Sequence, residues 1–214
     1  LGESRLSEAR VWAEQAVELY DALGDTAGKA QAVLILANAA SRQEQAVEGN
    51  NAYRSALEMS HQLGDREVEA RVLNGLGILC PDLAQRRSYY EQALTAFAAV
   101  DDRRGQAQVH NNLALTNVQM GLYALACEDA QEAVAAARQM GSRVELAYYL
   151  DTLARTYLDM GDVLTAEKLS REGLALSREV GDVAVEAAYA YGLARTAHAG
   201  GRLDEACDLY QTAA

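Results

Sequence analysis

Residues 101–140 read DDRRGQAQVHNNLALTNVQMGLYALACEDAQEAVAAARQM, and this stretch decides the fold of the whole chain. Apolar residues recur at spacings of three and four on both sides of Gly121, which predicts two amphipathic helices joined at that glycine. The small residues Ala114 and Ala126 fall where the two helices would press together, because only a short side chain permits a close approach. The stretch therefore predicts one tightly packed helical hairpin.

The same hairpin recurs along the chain, and such internal repeats dominate every other feature of a sequence. The turns between copies lie at Gly24-Asp25, Gly64-Asp65, Asp101-Asp102, Gly141-Ser142 and Gly181-Asp182. A Leu followed by a small residue returns at Leu36-Ala37, Leu76-Gly77, Leu113-Ala114, Leu153-Ala154 and Leu193-Ala194. Successive turns are 40, 37, 40 and 40 residues apart. The chain is therefore an array of helical repeats.

At these residues the chain resembles the tetratricopeptide repeat family, in its variant of about forty residues. One matching copy carries Leu153-Ala154, Tyr157, Gly161, Ala166 and Leu174. The resemblance implies an all-α fold, a right-handed α-solenoid of stacked antiparallel helix pairs with about eleven helices. It also implies that the first helix of each repeat lines a concave groove and that the second helices form the outside.

We predict a single array over residues 1–214. Its parts are an orphan second helix at 1–23, full repeats at 24–63, 64–100, 101–140 and 141–180, and an incomplete last repeat at 181–214. Because the pattern is interrupted at both ends, we expect the sequence to be an internal piece of a longer protein.

The turns and one irregular repeat carry local predictions. Glycines end the second helices in the left-handed conformation, and the residue after each caps the next helix; the capping residues are Asp25, Asp65, Ser142 and Asp182. The second repeat is three residues short around Pro81. Since proline lacks an amide hydrogen, we expect a shortened hairpin with Pro81 in the first turn of the following helix.

Composition excludes several classes of function. The net charge of −12 argues against direct binding of nucleic acid, whose phosphates would be repelled. No apolar run is long enough to span a membrane. The three cysteines, Cys80, Cys127 and Cys207, lack metal-ligand spacing and are expected to be small, buried or half-buried hydrophobic residues. Free thiols favour a reducing cytoplasm. The histidines are scattered, and motifs for phosphate binding or nucleophilic catalysis are missing. We therefore predict a protein that is not an enzyme and needs no cofactor or metal.

The groove implied by the resemblance differs in composition from the rest of the chain. Its predicted partner-binding residues are Asn38, Arg71, Asn74, Gln108, Asn111, Asn112, Tyr148, Asp151, Arg155, Tyr191, Arg195 and His198. Carboxamides can bond both the amide and the carbonyl of an extended peptide, and arginines fit carboxylates. We expect the groove to hold a peptide or partner segment, with acidic side chains or a free carboxyl end.

Two functions remain open. The first is a non-catalytic interaction scaffold within a larger bacterial signalling or regulatory protein. The second is a small-molecule-sensing segment of a transcription activator of the signalling-ATPase type. Forty-residue repeats are similar to the sensor segments of such ATPases, to kinesin light chain and to the Rap-type peptide-responsive regulators. Self-association through exposed array ends is a third expectation.

Overall fold

The computed structural model describes the backbone of residues 2–43 and 45–213 and the side chains of residues 7–43 and 45–211. Residues 1, 44 and 214 of the predicted array lie outside the described backbone. Within the described backbone, all regular structure is α-helical. The helices are α1 Gly2–Leu23, α2 Thr26–Arg42, α3 Ala46–Leu63, α4 Arg66–Leu79, α5 Leu83–Ala99, α6 Arg103–Gln119, α7 Tyr123–Met140, α8 Arg143–Asp159, α9 Val163–Val180, α10 Val183–Ala199 and α11 Leu203–Ala213.

The chain forms two compact units, residues 1–106 and residues 107–214, and the boundary falls within α6. In the first unit α1 to α5 pack consecutively, and α2 also contacts α4. In the second unit α7 to α11 pack consecutively in the same way, and α8 also contacts α10. First helices of successive pairs therefore lie side by side within each unit. The prediction of stacked helix pairs is confirmed.

Small residues and aromatic rings set the distances between the helices. Ala114 and Ala126 are fully buried, as the hairpin prediction required. Elsewhere an aromatic ring lies directly on a glycine of a neighbouring helix. A Cβ atom on Gly173 would lie 2.0 Å from Cζ of Tyr189, a buried residue whose hydroxyl donates to the Ala147 carbonyl. The glycine is needed there because the ring occupies the space of any larger side chain.

Capping at the turns follows the prediction. Gly64 ends α3 in the left-handed region with φ +67°, and glycine adopts that conformation without steric cost. The Asp65 carboxylate then accepts hydrogen bonds from the amides of Glu67 and Val68 at 3.1 and 3.0 Å. The remaining side-chain caps of this kind include Asp25, Ser142 and Asp182. The residues after the turn glycines therefore act as N-caps.

The irregular second repeat differs from the prediction in one detail. Its first helix, α4, is short, with 14 residues against the 17 of α2, as expected for a shortened hairpin. Pro81, however, precedes α5 and does not lie in its first turn. The reason is Asp82, whose carboxylate accepts from the Gln85 amide at 2.7 Å and makes Asp82 the N-cap, so that the helix begins at Leu83. Among the cysteines, Cys207 is exposed and not buried or half-buried as expected.

Candidate functional site

A cavity of about 160 Å³ lies between α8 and α10 in the second unit. Helix α8 contributes Asp151 and Arg155 to its lining, and α10 contributes Tyr191 and Arg195. Four of the predicted partner-binding residues therefore surround one space. Their role in binding stays a prediction, but their proximity is a property of the fold.

The repeat register explains why these four side chains meet. Asp151 and Arg155 are four residues apart on α8, which places them on one helical face. Tyr191 and Arg195 stand 40 residues further along at the same two positions of the next first helix. Because α8 and α10 lie side by side, equivalent positions on the two helices become neighbours.

The rest of the cavity is lined mainly by small residues. Ala154 comes from α8, Ala188 and Gly192 come from α10, and Ser170 reaches the cavity from α9 behind them. Ser170 is only 3% exposed. Small side chains at these places leave the space open, and larger ones would fill it.

The charged groups at the cavity are unevenly paired. Arg195 Nη2 lies 3.1 Å from Asp159 Oδ1, so this guanidinium is held by a carboxylate of α8. Arg155 is exposed and, within the described residues, forms no ion pair. Burial raises the pKa of the Asp151 carboxyl above its usual value, while Arg155 and Arg195 act in the opposite direction. The site thus offers one available guanidinium beside a carboxyl group that is easier to protonate than usual.

Two further predicted residues of the second unit lie away from the cavity lining. The Tyr148 hydroxyl donates to Asp182 Oδ2 at 3.0 Å, and this hydrogen bond raises the pKa of the Tyr148 phenol. His198 is exposed near the end of α10. Tyr191, which does line the cavity, also contacts Tyr210 of α11, with ring centroids 5.5 Å apart. The cavity therefore has an aromatic edge at Tyr191, and Tyr210 packs against that ring.

The remaining predicted residues are dispersed. In the first unit, Asn38 Oδ1 accepts from the Tyr53 hydroxyl at 2.7 Å, Arg71 pairs with Glu67 at 2.6 Å, and Asn74 is buried at 8% exposure. On α6, Gln108 is exposed, whereas the two carboxamides that follow it are half-buried; these are Asn111 and Asn112. The structure brings none of these residues to the α8–α10 cavity.

A polar cluster between α6 and α7 was not predicted. His110 Nδ1 and Asn117 Nδ2 each lie 2.9 Å from an oxygen of the Asp129 carboxylate. Asn117 is 2% exposed, so the cluster reaches into the core of the second unit. The aligned repeats could have revealed this cluster, because Asp129 is an acidic residue at a position where the other repeats carry a non-acidic one. Those residues are Ala52, Tyr89, Leu169 and Leu209.

Other kinds of site receive no support from the described residues. No group of three or more His, Cys, Asp or Glu side chains in that part of the chain could hold a metal ion. None of the described helices combines the length and the apolar character that a membrane span requires.

Solved structures share this architecture. One is a signal transduction ATPase from Pyrococcus horikoshii with a tetratricopeptide repeat sensor. It matches 98% of this chain and 33% of its own, with a TM-score of 0.78 at 18% identity. The chain has the tetratricopeptide-repeat fold. BtubC from P. vanneervenii matches this tetratricopeptide-type chain over 97% of its length and 89% of its own, with a TM-score of 0.82 at 19% identity.

Two other comparisons concern the Rap protein and Regulatory protein AfsR. The Rap protein in complex with Competence and Sporulation Factor matches 87% of the tetratricopeptide-type chain and 53% of its own, with a TM-score of 0.75 at 16% identity. Regulatory protein AfsR of Streptomyces coelicolor is 30% identical over 99 residues, which is 44% of this chain. The chain spans about 10% of the length of that regulator. No family model matches the sequence.

Proposed function

We propose that the chain is a non-catalytic, cytoplasmic peptide-binding module of a larger bacterial regulatory protein. The peptide would lie across the first-helix face of the second unit, which we define as the surface around Tyr148, Asp151, Arg155, Tyr191 and Arg195. The observation that carries this proposal is the convergence of four of those residues on one cavity between α8 and α10.

The chemistry of the first-helix face suits a polypeptide with a negative charge. Arg155 can donate two parallel hydrogen bonds to a carboxylate, which gives direction as well as affinity. The exposed rings of Tyr148 and Tyr191 add rigid contact area at a small entropic cost. The chain as a whole carries a net charge of −12, so a locally available guanidinium stands out from its surroundings. We therefore infer an acidic side chain or a free carboxyl end in the partner.

The comparisons support an interaction or regulatory role. The Rap structure contains Competence and Sporulation Factor, and another similar fold belongs to the quorum sensor NprR of B. thuringiensis, at a TM-score of 0.75. AfsR is named as a regulatory protein. Since these identities lie between 15 and 30%, they support the class of function and not a particular ligand.

A small-molecule sensor is the second candidate. The cavity is compact, and the Pyrococcus horikoshii ATPase carries its repeats as a sensor. A small ligand would bind within the cavity and would not require the rest of the first-helix face. The two candidates therefore differ in how much of the surface they use.

Selection of binders from a random peptide library tests the proposal. Replacing Arg155 and Arg195 together by Ala should weaken the selected peptides about tenfold or more, since hydrogen bonds to charged groups are strong. The matched control replaces Arg138 and Arg178 by Ala; their guanidiniums pair with Glu172 and Glu186. Peptides that bind the Arg155 and Arg195 variant as tightly as the unaltered chain would place the site elsewhere. A library without binders would favour the small-molecule sensor.

A further inference from the structure

Equivalent interfaces in the two units differ at a buried position that faces a glycine in both of them. Tyr53 of α3 and Ser170 of α9 are 117 residues apart, which is three repeats, and so are Gly75 of α4 and Gly192 of α10. In both units, therefore, a residue of a second helix faces a glycine of the following first helix. The first unit has a tyrosine at this place, and the second unit has a serine.

The space over the two glycines reflects this difference. A Cβ atom on Gly75 would lie 2.3 Å from Cζ of Tyr53, so the phenol ring rests directly on the glycine. A Cβ atom on Gly192 would meet only Ser170 Oγ, at 3.6 Å. Tyr53 is 2% exposed, so its ring is buried in the interface. Beside Ser170 and Gly192 the space remains as the cavity.

A third interface shows that an absent tyrosine does not by itself leave a cavity. At the corresponding places between α7 and α8 the chain has Ala130 and Thr152, both buried. There the first helix supplies the volume that the second helix lacks. Of these three interfaces, only the one that pairs serine with glycine has a small residue on both sides, so the cavity has the location of a missing tyrosine side chain.

The residue at the polar end of this space also differs between the two units. In the first unit the Tyr53 hydroxyl donates to Asn38 Oδ1 at 2.7 Å. The residue 117 positions after Asn38 is Arg155, which lines the cavity. A neutral acceptor for a phenol is thus replaced by a guanidinium, which donates to anions and accepts nothing. The preferred occupant therefore carries a negative charge where tyrosine carries its hydroxyl.

We propose that the cavity binds the C-terminal residue of a peptide when that residue is aromatic, with the ring on Gly192 and the carboxylate at Arg155. This inference rests on the proposed peptide-binding function and specifies its ligand. A cavity of about 150 Å³ in an engineered protein accepts benzene, so the present space of about 160 Å³ suits one ring. The Ser170 hydroxyl makes no hydrogen bond within the described residues and faces the same space.

Binding of short probes tests the ligand. The probe is a fluorescein-labelled Gly-Ser-Gly-Ser-Phe peptide with a free carboxylate, measured by fluorescence anisotropy. We expect binding about tenfold tighter than for the same peptide with an amidated end, and than for one ending in Ala. Equal binding of the amidated peptide, or no binding of the Phe probe, overturns the proposal. 3-Phenylpropionate binding as tightly as the peptide would overturn the peptide assignment in favour of a free aromatic acid.

Closing the cavity tests its location. Ser170→Tyr places a ring over Gly192, as in the first unit, and should weaken the Phe probe about tenfold or more. The control Ser55→Tyr adds the same side chain at an exposed position of α3, away from the cavity, and should leave binding unchanged. Equal binding by Ser170→Tyr and the unaltered chain contradicts the site. If Ser170→Tyr does not fold, the unaltered chain can be photo-crosslinked to a peptide ending in 4-azidophenylalanine, whose side chain has a single ring. Crosslinks at Ala154 or Ala188 support the site, and crosslinks confined to other helices refute it.

The two proposals fail in distinguishable ways. Library-selected peptides that depend on Arg155 and Arg195 but tolerate Ser170→Tyr would leave the peptide-binding function in place and refute the aromatic pocket. Selected peptides whose affinity is unchanged by substitutions at all three positions would refute both the peptide-binding function at this face and the aromatic pocket.

Discussion

The interface of α2, α3 and α4 and the interface of α8, α9 and α10 are built on the same repeat positions. An aromatic ring fills the first, whereas the second contains a cavity. In the first, the Tyr53 ring occupies the space over Gly75. In the second, Ser170 leaves the space over Gly192 open and lined by charged groups. The comparison teaches that a repeat array can hold a filled core at one interface and a polar cavity at the equivalent interface, because side chains change while the backbone of both follows the same register.

The largest effect is expected from Tyr53→Ser, which would give the first unit the arrangement of the second. Loss of a buried aromatic ring costs about 3–5 kcal/mol, and Asn38 also loses its hydrogen bond partner. Urea denaturation measures the free energy of unfolding, and amide hydrogen exchange locates the loss in α2 to α4. A change below about 1 kcal/mol would mean that the ring does not hold the interface together.

A smaller destabilisation is expected from Gly75→Ala. The added methyl group would overlap the Tyr53 ring, and overpacking typically costs about 1–3 kcal/mol. Alanine has a higher helix propensity than glycine, which offsets up to about 1 kcal/mol of this cost. We therefore expect the free energy of unfolding, measured by urea denaturation, to fall by about 1–2 kcal/mol. A variant more stable than the unaltered chain would contradict the close contact between ring and glycine.

The matched change Gly192→Ala should have the opposite sign. Its methyl group would meet only Ser170 Oγ at an ordinary contact distance of 3.6 Å. Helix propensity then dominates, and the unfolding free energy should rise by about 0.5–1 kcal/mol. The comparison between the interfaces loses its basis if both glycine variants shift the melting temperature in the same direction.

The smallest effect concerns Asp151. Its pKa is raised by burial in the folded chain, so the folded state binds a proton more readily than the unfolded state. The resulting destabilisation is absent below the unfolded pKa and complete above the raised folded pKa. Asp151→Asn should therefore raise the melting temperature slightly at pH 7 and not at pH 3, as measured by circular dichroism. An Asn variant that is less stable at pH 7 would show that the Arg155 and Arg195 charges outweigh burial.

Much of the fold could be predicted because its determinants are local and repeated. The spacing of Leu-Ala pairs, the turn glycines and the capping aspartates each require only a few residues of context. The start of α5 was missed because two adjacent residues, Pro81 and Asp82, both suit a helix N-terminus, and only the hydrogen bond to Gln85 decides between them.

The candidate site was only partly accessible to sequence reasoning. The register places Asp151, Arg155, Tyr191 and Arg195 on adjacent first helices, and the fold brings them together. The cavity itself depends on side-chain volumes contributed by three helices, and a pattern of polar residues says nothing about a missing ring. Asn74 illustrates the converse, since its position in the pattern suggested an exposed role and packing buries it.

The hydrogen-bonded cluster of His110, Asn117 and Asp129 has a consequence for how the array assembles. Repeats of nearly equal shape can exchange partners during folding, so that a helix docks on the wrong copy. Other first helices have an aliphatic residue at the position of His110; examples are Val33, Leu73 and Leu150. If α7 packed on one of those helices, the Asp129 carboxylate would lie against that aliphatic side chain. Since a carboxylate deprived of hydrogen bonds is costly to bury, α6 is the helix that best accepts α7. The polar cluster thereby favours the pairing of α6 with α7 over the mispaired alternatives.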